Sequence, residues 1–355
     1  MNKQQLLSIA ESKALRGIAI LGIILHNYCH FLGFAVKENE YTFDAEKPMM
    51  MLDRLCSLNH YLFVHILSFF GHYGVPVFLF ISGFGLVMKY EYKNKDKETR
   101  ILPFVWYNYA KLLRLMFLGY IAFAVVCYLD PHGYHGYTVG RVVAQLFMYI
   151  NILPDPDHII KPGPYWYFGL TMQLYIVYRL LLYRRKSAYT IALIAVCWIL
   201  QTVFSPEMYG SWDSLNRIRY NFIGGMLPFG MGMLYARHGR LLPKGAYAAL
   251  AVVSAAVVFW GSFNFHSWLW VPAFIVIGAV STFKLLPEWA LKPCMWTGVI
   301  SSSFFVVHPV LREIIIPMSR RGQVFTGIVV YLVASVLCAW LFMKLLKFIP
   351  KPKSI

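Results

Sequence analysis

The stretch LRGIAILGIILHNYCH, residues 15–30, decides the fold class of this chain. It is an apolar run long enough to enter a bilayer, yet it carries a cation, Arg16, near its start and two imidazoles, His26 and His30, in its second half. Such polar groups are costly in lipid, so they usually face the interior of a helix bundle and often mark a site. The stretch therefore predicts a membrane helix with one polar face.

The remainder of the chain repeats the apolar pattern. Of its 355 residues, 59% are hydrophobic and only 14% are charged, whereas a soluble domain has about 45–50% apolar and about 25% charged residues. Apolar runs of about 18–24 residues recur to the C-terminus, the length a helix needs to cross hydrocarbon. We predict an all-α, polytopic integral membrane protein with about ten transmembrane helices. The predicted spans are residues 14–34, 60–90, 103–129, 164–184, 187–205, 216–237, 244–261, 267–283, 297–316 and 324–347.

Loop charge sets the predicted orientation. The net charge of +17 comes from Lys and Arg in short loops, which is typical of the positive-inside rule rather than of a nucleic-acid-binding patch. Placing most of these cations inside puts both termini in the cytoplasm and makes residues 139–153 an interfacial or re-entrant segment that does not span. Residues 1–355 are predicted to form one membrane domain. The six cysteines are isolated, with no CxxC motif, so neither a zinc site nor a disulfide framework is predicted.

The polar residues of the first helix fall on a common face. At about 100° per residue, Arg16 and His30 lie about 40° apart and His26 lies about 40° beyond His30. His26 lies about 15 Å from Arg16 along the helix axis. A cation near the cytoplasmic headgroups with an imidazole deeper in the membrane suits an anionic donor whose reactive end reaches inward. A neutral imidazole there can act as a general base toward a hydroxyl.

Three further stretches place polar groups in apolar helices. Residues 74–84, GVPVFLFISGF, combine proline, serine and glycine, a pattern that allows close approach of a helix or a ligand. Residues 163–175, GPYWYFGLTMQLY, begin with aromatics that suit an interfacial belt or stacking on sugars. Residues 300–309, ISSSFFVVHP, place a histidine and a proline inside a span, where the proline should interrupt the helix hydrogen bonds. The candidate substrate-binding residues from these stretches are Ser82, Trp166, Gln173, Tyr175 and His308.

Taken in order, these stretches resemble the acyltransferase family 3 membrane proteins, which O-acylate surface polysaccharides, lipopolysaccharide and related glycans. The resemblance covers about residues 10–347. It implies a ten-helix domain that takes an acyl group, usually acetyl from cytoplasmic acetyl-CoA, and delivers it to a sugar hydroxyl. His26 matches the family's first-helix histidine and Arg16 the basic residue before it. The family spacing is commonly one residue longer, which keeps His30 as an alternative to His26.

The leading prediction is therefore an integral-membrane O-acyltransferase of the bacterial inner membrane, with acetyl as the expected acyl group. His26 would be the base or a transient acyl carrier, with His30 as the second catalytic candidate. Arg16, Lys111 and Arg114 would hold the phosphates of acyl-CoA, although the latter two also fit positive-inside anchoring. The expected partners are acyl-CoA as donor substrate, a glycan or lipid-linked saccharide as acceptor, and membrane lipid. No nucleic acid, permanently bound cofactor or metal is expected.

Two rival functions follow from other features of the sequence. A transporter or flippase for a lipid-linked sugar could use the polar face of the first helix as a pathway, but the chain shows no inverted repeat. A membrane glycosyltransferase or polymerase could bind a metal through Asp155-Pro156-Asp157. A D-x-D pattern is common by chance, so this rival depends on a weak motif.

Overall fold

The structure, a computed structural model, describes residues 6–96, 98–130 and 133–353. Within these residues the secondary structure is helical and no strand occurs, so the predicted all-α class is confirmed. The α-helices of the described chain are α1 (Ile9–Cys29), α2 (Glu46–Ser57), α3 (Leu62–Phe70), α4 (Gly74–Val87), α5 (Ile101–Leu129), α6 (Val139–Leu146), α7 (Pro156–Ile159), α8 (Trp166–Val177), α9 (Ser187–Val203), α10 (Trp212–Arg219), α11 (Phe222–His238), α12 (Lys244–Gly261), α13 (Phe265–Trp268), α14 (Val271–Leu285), α15 (Glu288–Arg320) and α16 (Val324–Leu345).

Five helical stretches of the described chain are long and apolar enough to cross a membrane, by length and composition. They are Leu62–Lys93, Ile101–Leu129, Lys244–Gly261, Glu288–Arg320 and Val324–Phe348. Two shorter apolar helices, α9 and α14, have 17 and 15 residues. A multi-pass membrane protein is therefore supported, while ten spans with both termini inside stays a prediction.

Helix α1 begins at a capping box that explains its first turn. The Ser8 hydroxyl accepts a hydrogen bond from the Glu11 backbone N–H at 3.1 Å, and the Glu11 carboxylate accepts one from the Ser8 N–H at 2.7 Å. This reciprocal pair satisfies two of the backbone donors that a helix start leaves without partners. Glu11 also forms an ion pair with Lys284 at 2.8 Å, so the start of α1 is tied to the end of α14.

Helix α1 lies along α15 and also contacts α3, α4 and the short 3₁₀ turn Gly71–Tyr73. The contact with α15 depends on Gly298, because a Cβ at that position would lie 1.9 Å from the Lys13 carbonyl oxygen. Similarly, a Cβ at Gly83 in α4 would lie 2.1 Å from the Phe229 carbonyl oxygen of α11. The first close approach holds α1 against α15, and the second holds α4 against α11.

Pro309 and residues 139–153 bear on two expectations from the sequence. Helix α15 continues through Pro309 rather than ending there, since bundled membrane helices satisfy the freed carbonyls with neighbours. Residues 139–153 contain the eight-residue α6 and a 3₁₀ turn at Ile150–Ile152. Both elements are much shorter than the roughly 20 residues of a membrane-spanning helix.

Candidate functional site

A cavity of about 510 Å³ lies beside α1 and is bounded by α4, α5, α8, α15 and the loop that follows α1. Its size falls within the range of small-molecule sites, which are typically clefts of about 300–1,000 Å³ with a few converging polar groups. Seven of the residues selected from the sequence line it. They are Arg16, His26, His30, Ser82, Lys111, Trp166 and Tyr175.

Three other selected residues are absent from the described cavity lining. The Arg114 guanidinium donates to the backbone carbonyls of Leu346 and Ile349, at 3.0 Å for the latter, and so ties α5 to the C-terminal end of α16. The Gln173 side chain donates to Asn221 at 2.7 Å and accepts from the Phe222 backbone N–H at 2.9 Å. Both interactions connect helices rather than face the cavity.

His308 is also away from the cavity lining. Its side chain is fully buried in α15. Its ring centroid lies 5.7 Å from that of Phe305, which does line the cavity. His308 thus lies about one helical turn along α15 from a residue of the cavity lining.

Four side chains converge at one side of the cavity, and we call them the four-group cluster: His26, Glu38, Glu40 and His72. One ligand-type atom from each lies within 4.8 Å of all the others. The Glu40 Oε1 atom is 3.1 Å from the His26 Nε2 and 2.9 Å from the His72 Nδ1. The cluster joins α1, the loop after α1 and the Gly71–Tyr73 turn.

The tautomer of His26 follows from its backbone partner. Its Nδ1 lies 2.7 Å from the Ser68 carbonyl oxygen, and a carbonyl can only accept, so Nδ1 carries the proton and donates. The Nε2 is therefore the nitrogen that faces Glu38 and Glu40, at 3.4 and 3.1 Å. This fixed orientation presents one imidazole nitrogen to the acidic side of the cavity.

The two carboxylates of the cluster are held in opposite protonation states. Burial raises the pKa of Glu38 well above its usual range, and the nearby charge of Glu40 adds to this. Burial acts in the same direction on Glu40, but the charge of His72 and the hydrogen bonds from His26 and His72 bring its pKa well below the usual range. Two adjacent carboxylates rarely ionise together, so Glu38 holds a proton while Glu40 is ionised.

Glu38 has an unusual environment for an acid. Its side chain is 0% exposed. The Nε2 of His26 and the Nδ1 of His30 each lie 3.4 Å from a Glu38 oxygen, and the Glu38 carboxyl group interacts with that of Glu40. Buried carboxylates are normally paired or hydrogen-bonded, and this one depends on Glu40 and the two imidazoles.

An aromatic wall, formed by Tyr41, Trp166 and Tyr220, faces the cavity. The rings of Tyr41 and Tyr220 stack with centroids 3.8 Å apart, and Trp166 meets them edge-on at 5.5 and 5.9 Å. The Tyr220 hydroxyl donates to Asp157 at 2.5 Å. These contacts fix the rings as a rigid apolar surface.

Four cations line the cavity, Arg16, Lys111, Lys161 and Arg312, and the first two lie near Tyr175. Arg16 is ten residues before His26 on the same helix, about 15 Å along the axis, and its side chain is exposed to the cavity. The Lys111 ammonium lies 6.0 Å from the ring centroid of Tyr175, and Arg16 interacts electrostatically with the same tyrosine. Arg16 and Lys111 therefore form a cationic pair around Tyr175.

Sequence reasoning missed Glu38, Glu40 and His72. A signal was present, because the chain has only 16 acidic residues and two of them flank Asn39 directly after the polar first helix. His72 lies two residues before the stretch of residues 74–84 that was singled out from the sequence. However, no periodicity links a loop residue to a helix face, so their meeting with His26 depends on the tertiary fold.

Comparison with known proteins identifies the family of the chain. A family model described as an acyltransferase domain, that of acyltransferase family 3, matches residues 9–344. No curated protein and no solved structure gives a match. The matched region includes α1, the four-group cluster, the aromatic wall and the cationic pair. The chain belongs to acyltransferase family 3, and it is a membrane acyltransferase.

Proposed function

We propose that the protein is an O-acyltransferase that transfers an acyl group, specifically acetyl, from acyl-CoA to a hydroxyl of a cell-envelope or surface polysaccharide. The observation that carries the proposal is that one cavity is lined both by three members of the four-group cluster, His26, Glu40 and His72, and by the cationic pair. An acyl transfer from a nucleotide-linked thioester needs both an anion-binding end and a proton-accepting end. The family membership supports the reaction class.

The cationic pair would bind the phosphates of the donor. Lys and Arg are the usual partners of phosphate, through charge-assisted hydrogen bonds. With the phosphates at Arg16 and Lys111, the pantetheine arm would extend along α1 toward His26. The thioester carbonyl would then lie beside the four-group cluster, about 15 Å from the phosphates along the helix axis.

The cluster would accept the proton that the reaction releases. The acceptor hydroxyl oxygen attacks the thioester carbonyl carbon, so that a C–O bond forms and the C–S bond breaks. The hydroxyl proton passes to the pair formed by His26 and Glu40, and the departing thiolate is protonated in turn. Glu40 is suited to share this proton because two imidazoles contact its Oε1 atom. His30, whose ring centroid is 5.0 Å from that of His26, is the alternative imidazole.

The aromatic wall supports a saccharide acceptor. Rigid aromatic rings present apolar surface to the C–H faces of sugars, and their hydroxyls bind sugar hydroxyls at the ring edge. Ser82, which also lines the cavity, would add a further hydroxyl contact. The acceptor is a glycan or a lipid-linked saccharide at the bacterial inner membrane.

The test is mass spectrometry of envelope glycans from cells that carry the intact gene, a deletion, His26→Ala or His60→Ala. The His60 side chain is exposed, so the last variant is a matched control. Loss of one acetyl mass per repeat in the deletion and in His26→Ala, but not in His60→Ala, would support the proposal. Unchanged glycan mass in all strains, with less surface glycan in the deletion, would overturn it in favour of lipid-linked sugar transport.

A further inference from the structure

We infer that the four-group cluster of His26, Glu38, Glu40 and His72 is a binding site for one divalent transition-metal ion of the Zn²⁺ type. The sequence alone did not predict it, because two of its members lie on loops. All four donor atoms lie within 4.8 Å of one another. Binding of the ion itself does not depend on the acyl acceptor or donor proposed above.

The spacing of the donor atoms fits a four-coordinate ion. Zinc binds imidazole nitrogen and carboxylate oxygen at about 2.0–2.2 Å, usually in a tetrahedron. The edges of such a tetrahedron are about 3.3–3.6 Å long by simple geometry from these bond lengths. The His26–Glu38 and His26–Glu40 distances are 3.4 and 3.1 Å, and the His72–Glu40 distance is 2.9 Å. Small outward movements of the side chains would complete the shell.

Glu38 provides an independent observation that points to a ligand. Its buried carboxyl group directs an oxygen into the cluster, where it meets the His26 and His30 nitrogens at 3.4 Å and the Glu40 carboxyl group. Two buried carboxyl groups side by side need a proton or a cation between them. A divalent cation would satisfy Glu38, and two carboxylates with two neutral imidazoles would balance its charge.

The position of His26 matches that of a metal ligand. A ligating histidine usually donates its other ring N–H to a carbonyl or carboxylate, which fixes the ring and directs the free nitrogen at the ion. His26 donates from Nδ1 to the Ser68 carbonyl at 2.7 Å, which leaves Nε2 toward the cluster. This partner lies outside the four-group cluster, so the orientation does not depend on contacts within it.

The donor set also selects the kind of ion. Two imidazole nitrogens and two carboxylate oxygens favour zinc and its first-row neighbours, whereas magnesium and calcium prefer oxygen ligands. The Glu40 side chain is 24% exposed and lines the cavity, so a substrate could reach the ion. Resting on the proposed function, the ion would lower the pKa of the acceptor hydroxyl. With the Nε2 of His26 and the Glu40 carboxylate bound to the ion, His30, the alternative imidazole of the proposed function, would replace them as the proton acceptor.

The test uses the full-length, tag-free protein in detergent, stripped with EDTA and then dialysed. Isothermal titration with ZnCl₂ should show one equivalent bound, and titration with MgCl₂ should show none. Glu38→Gln and His72→Ala should each abolish the stoichiometric binding, while His60→Ala should retain it. No binding by the unaltered protein, or unchanged binding by both cluster variants, would overturn the inference.

A second measurement avoids the possibility that a variant misfolds. Co²⁺ added to the stripped, unaltered protein should give the intense visible absorption of a four-coordinate ion, displaced by Zn²⁺; a weak six-coordinate spectrum would contradict the site. The same samples separate this inference from the proposed function. Stoichiometric Zn²⁺ binding by a protein that transfers no acyl group supports the site and removes the function. Full acyl transfer by the stripped protein, without Zn²⁺ binding, would support the proposed function and overturn the metal site.

Discussion

The Nε2 atom of His26 lies 3.1 Å from the Oε1 atom of Glu40, although the two residues are 14 positions apart and only His26 belongs to a helix. Helix α1 ends at Cys29, and the following loop returns its acidic residues to the helix's polar face. His72 contacts the same oxygen from a different part of the chain. Glu40 is therefore held between two imidazoles at the edge of the cavity.

Replacing Glu40 by Gln should remove this proton-sharing group while keeping its shape. We expect kcat for acyl transfer to fall by about 10²–10⁴-fold, the usual contribution of a positioned acid–base group. The measurement is the rate of transfer per folded molecule, normalised by size-exclusion chromatography. Glu46→Gln, an exposed acid at the start of α2, is the control and should match the unaltered enzyme. Equal rates for the two variants would remove Glu40 from the reaction.

Replacing Arg16 by Gln should weaken donor binding. A hydrogen bond to a charged group contributes about 1.5–3 kcal/mol, so KM for acyl-CoA should rise about 10- to 100-fold with a smaller change in kcat. Arg114→Gln is the matched comparison, since Arg114 donates to carbonyls at the end of the bundle. It should lower the thermal stability and leave KM unchanged. A raised KM in Arg114→Gln alone would reassign the phosphate site.

Replacing Glu38 by Gln should change the pH dependence of stability in the presence of a chelator. Burial raises the pKa of Glu38, so the folded protein keeps a proton that the unfolded chain releases at lower pH. The folded state therefore loses stability as the pH rises from the unfolded pKa toward the folded one. The melting temperature of Glu38→Gln relative to the unaltered protein should increase between pH 5 and pH 8. A difference that does not vary with pH would contradict the assigned protonation state.

Replacing Gly298 by Ala should separate α1 from α15. The added Cβ would lie 1.9 Å from the Lys13 carbonyl oxygen, and overpacking of this kind costs about 1–3 kcal/mol. We expect a lower melting temperature in detergent and lower activity, because Gly298 also borders the cavity. Gly245→Ala, at a helical position with open space, should keep or slightly raise stability. Equal melting temperatures for the two variants would show that the helices can part freely.

The sequence was informative where periodicity applies. Arg16, His26 and His30 lie on one helix, so their common face follows from the angle per residue, and all three line one cavity. The polar residues that made α1 notable also lower its mean hydropathy, and α1 is not among the five stretches that satisfy the length and composition criteria. The polar residues that point to a site in α1 therefore also weaken the hydropathy signal of a membrane span in the same helix.

Periodicity was insufficient where the chain leaves a helix or where a face has several neighbours. Glu40 and His72 reach His26 through loops whose path no local pattern specifies. Arg114 is one turn from Lys111, yet it points to the carbonyls of Leu346 and Ile349 while Lys111 lines the cavity. Residue type and helical position alone could not distinguish these two cations.

The close packing of α1 against α15 keeps α1 rigid and fixes the distances between its side chains. Arg16 and His26 are ten residues apart on a helix whose position is fixed by backbone contacts, so their separation of about 15 Å cannot stretch. Under the proposed function, only donors whose anionic and reactive ends match this distance would contact both residues. An added residue between them would increase the axial distance from Arg16 to His26 by about 1.5 Å but would rotate His26 by about 100° around the helix axis. Under the proposed function, the angular position of His26 on α1, more than the length of the helix, would therefore determine which donors the enzyme accepts.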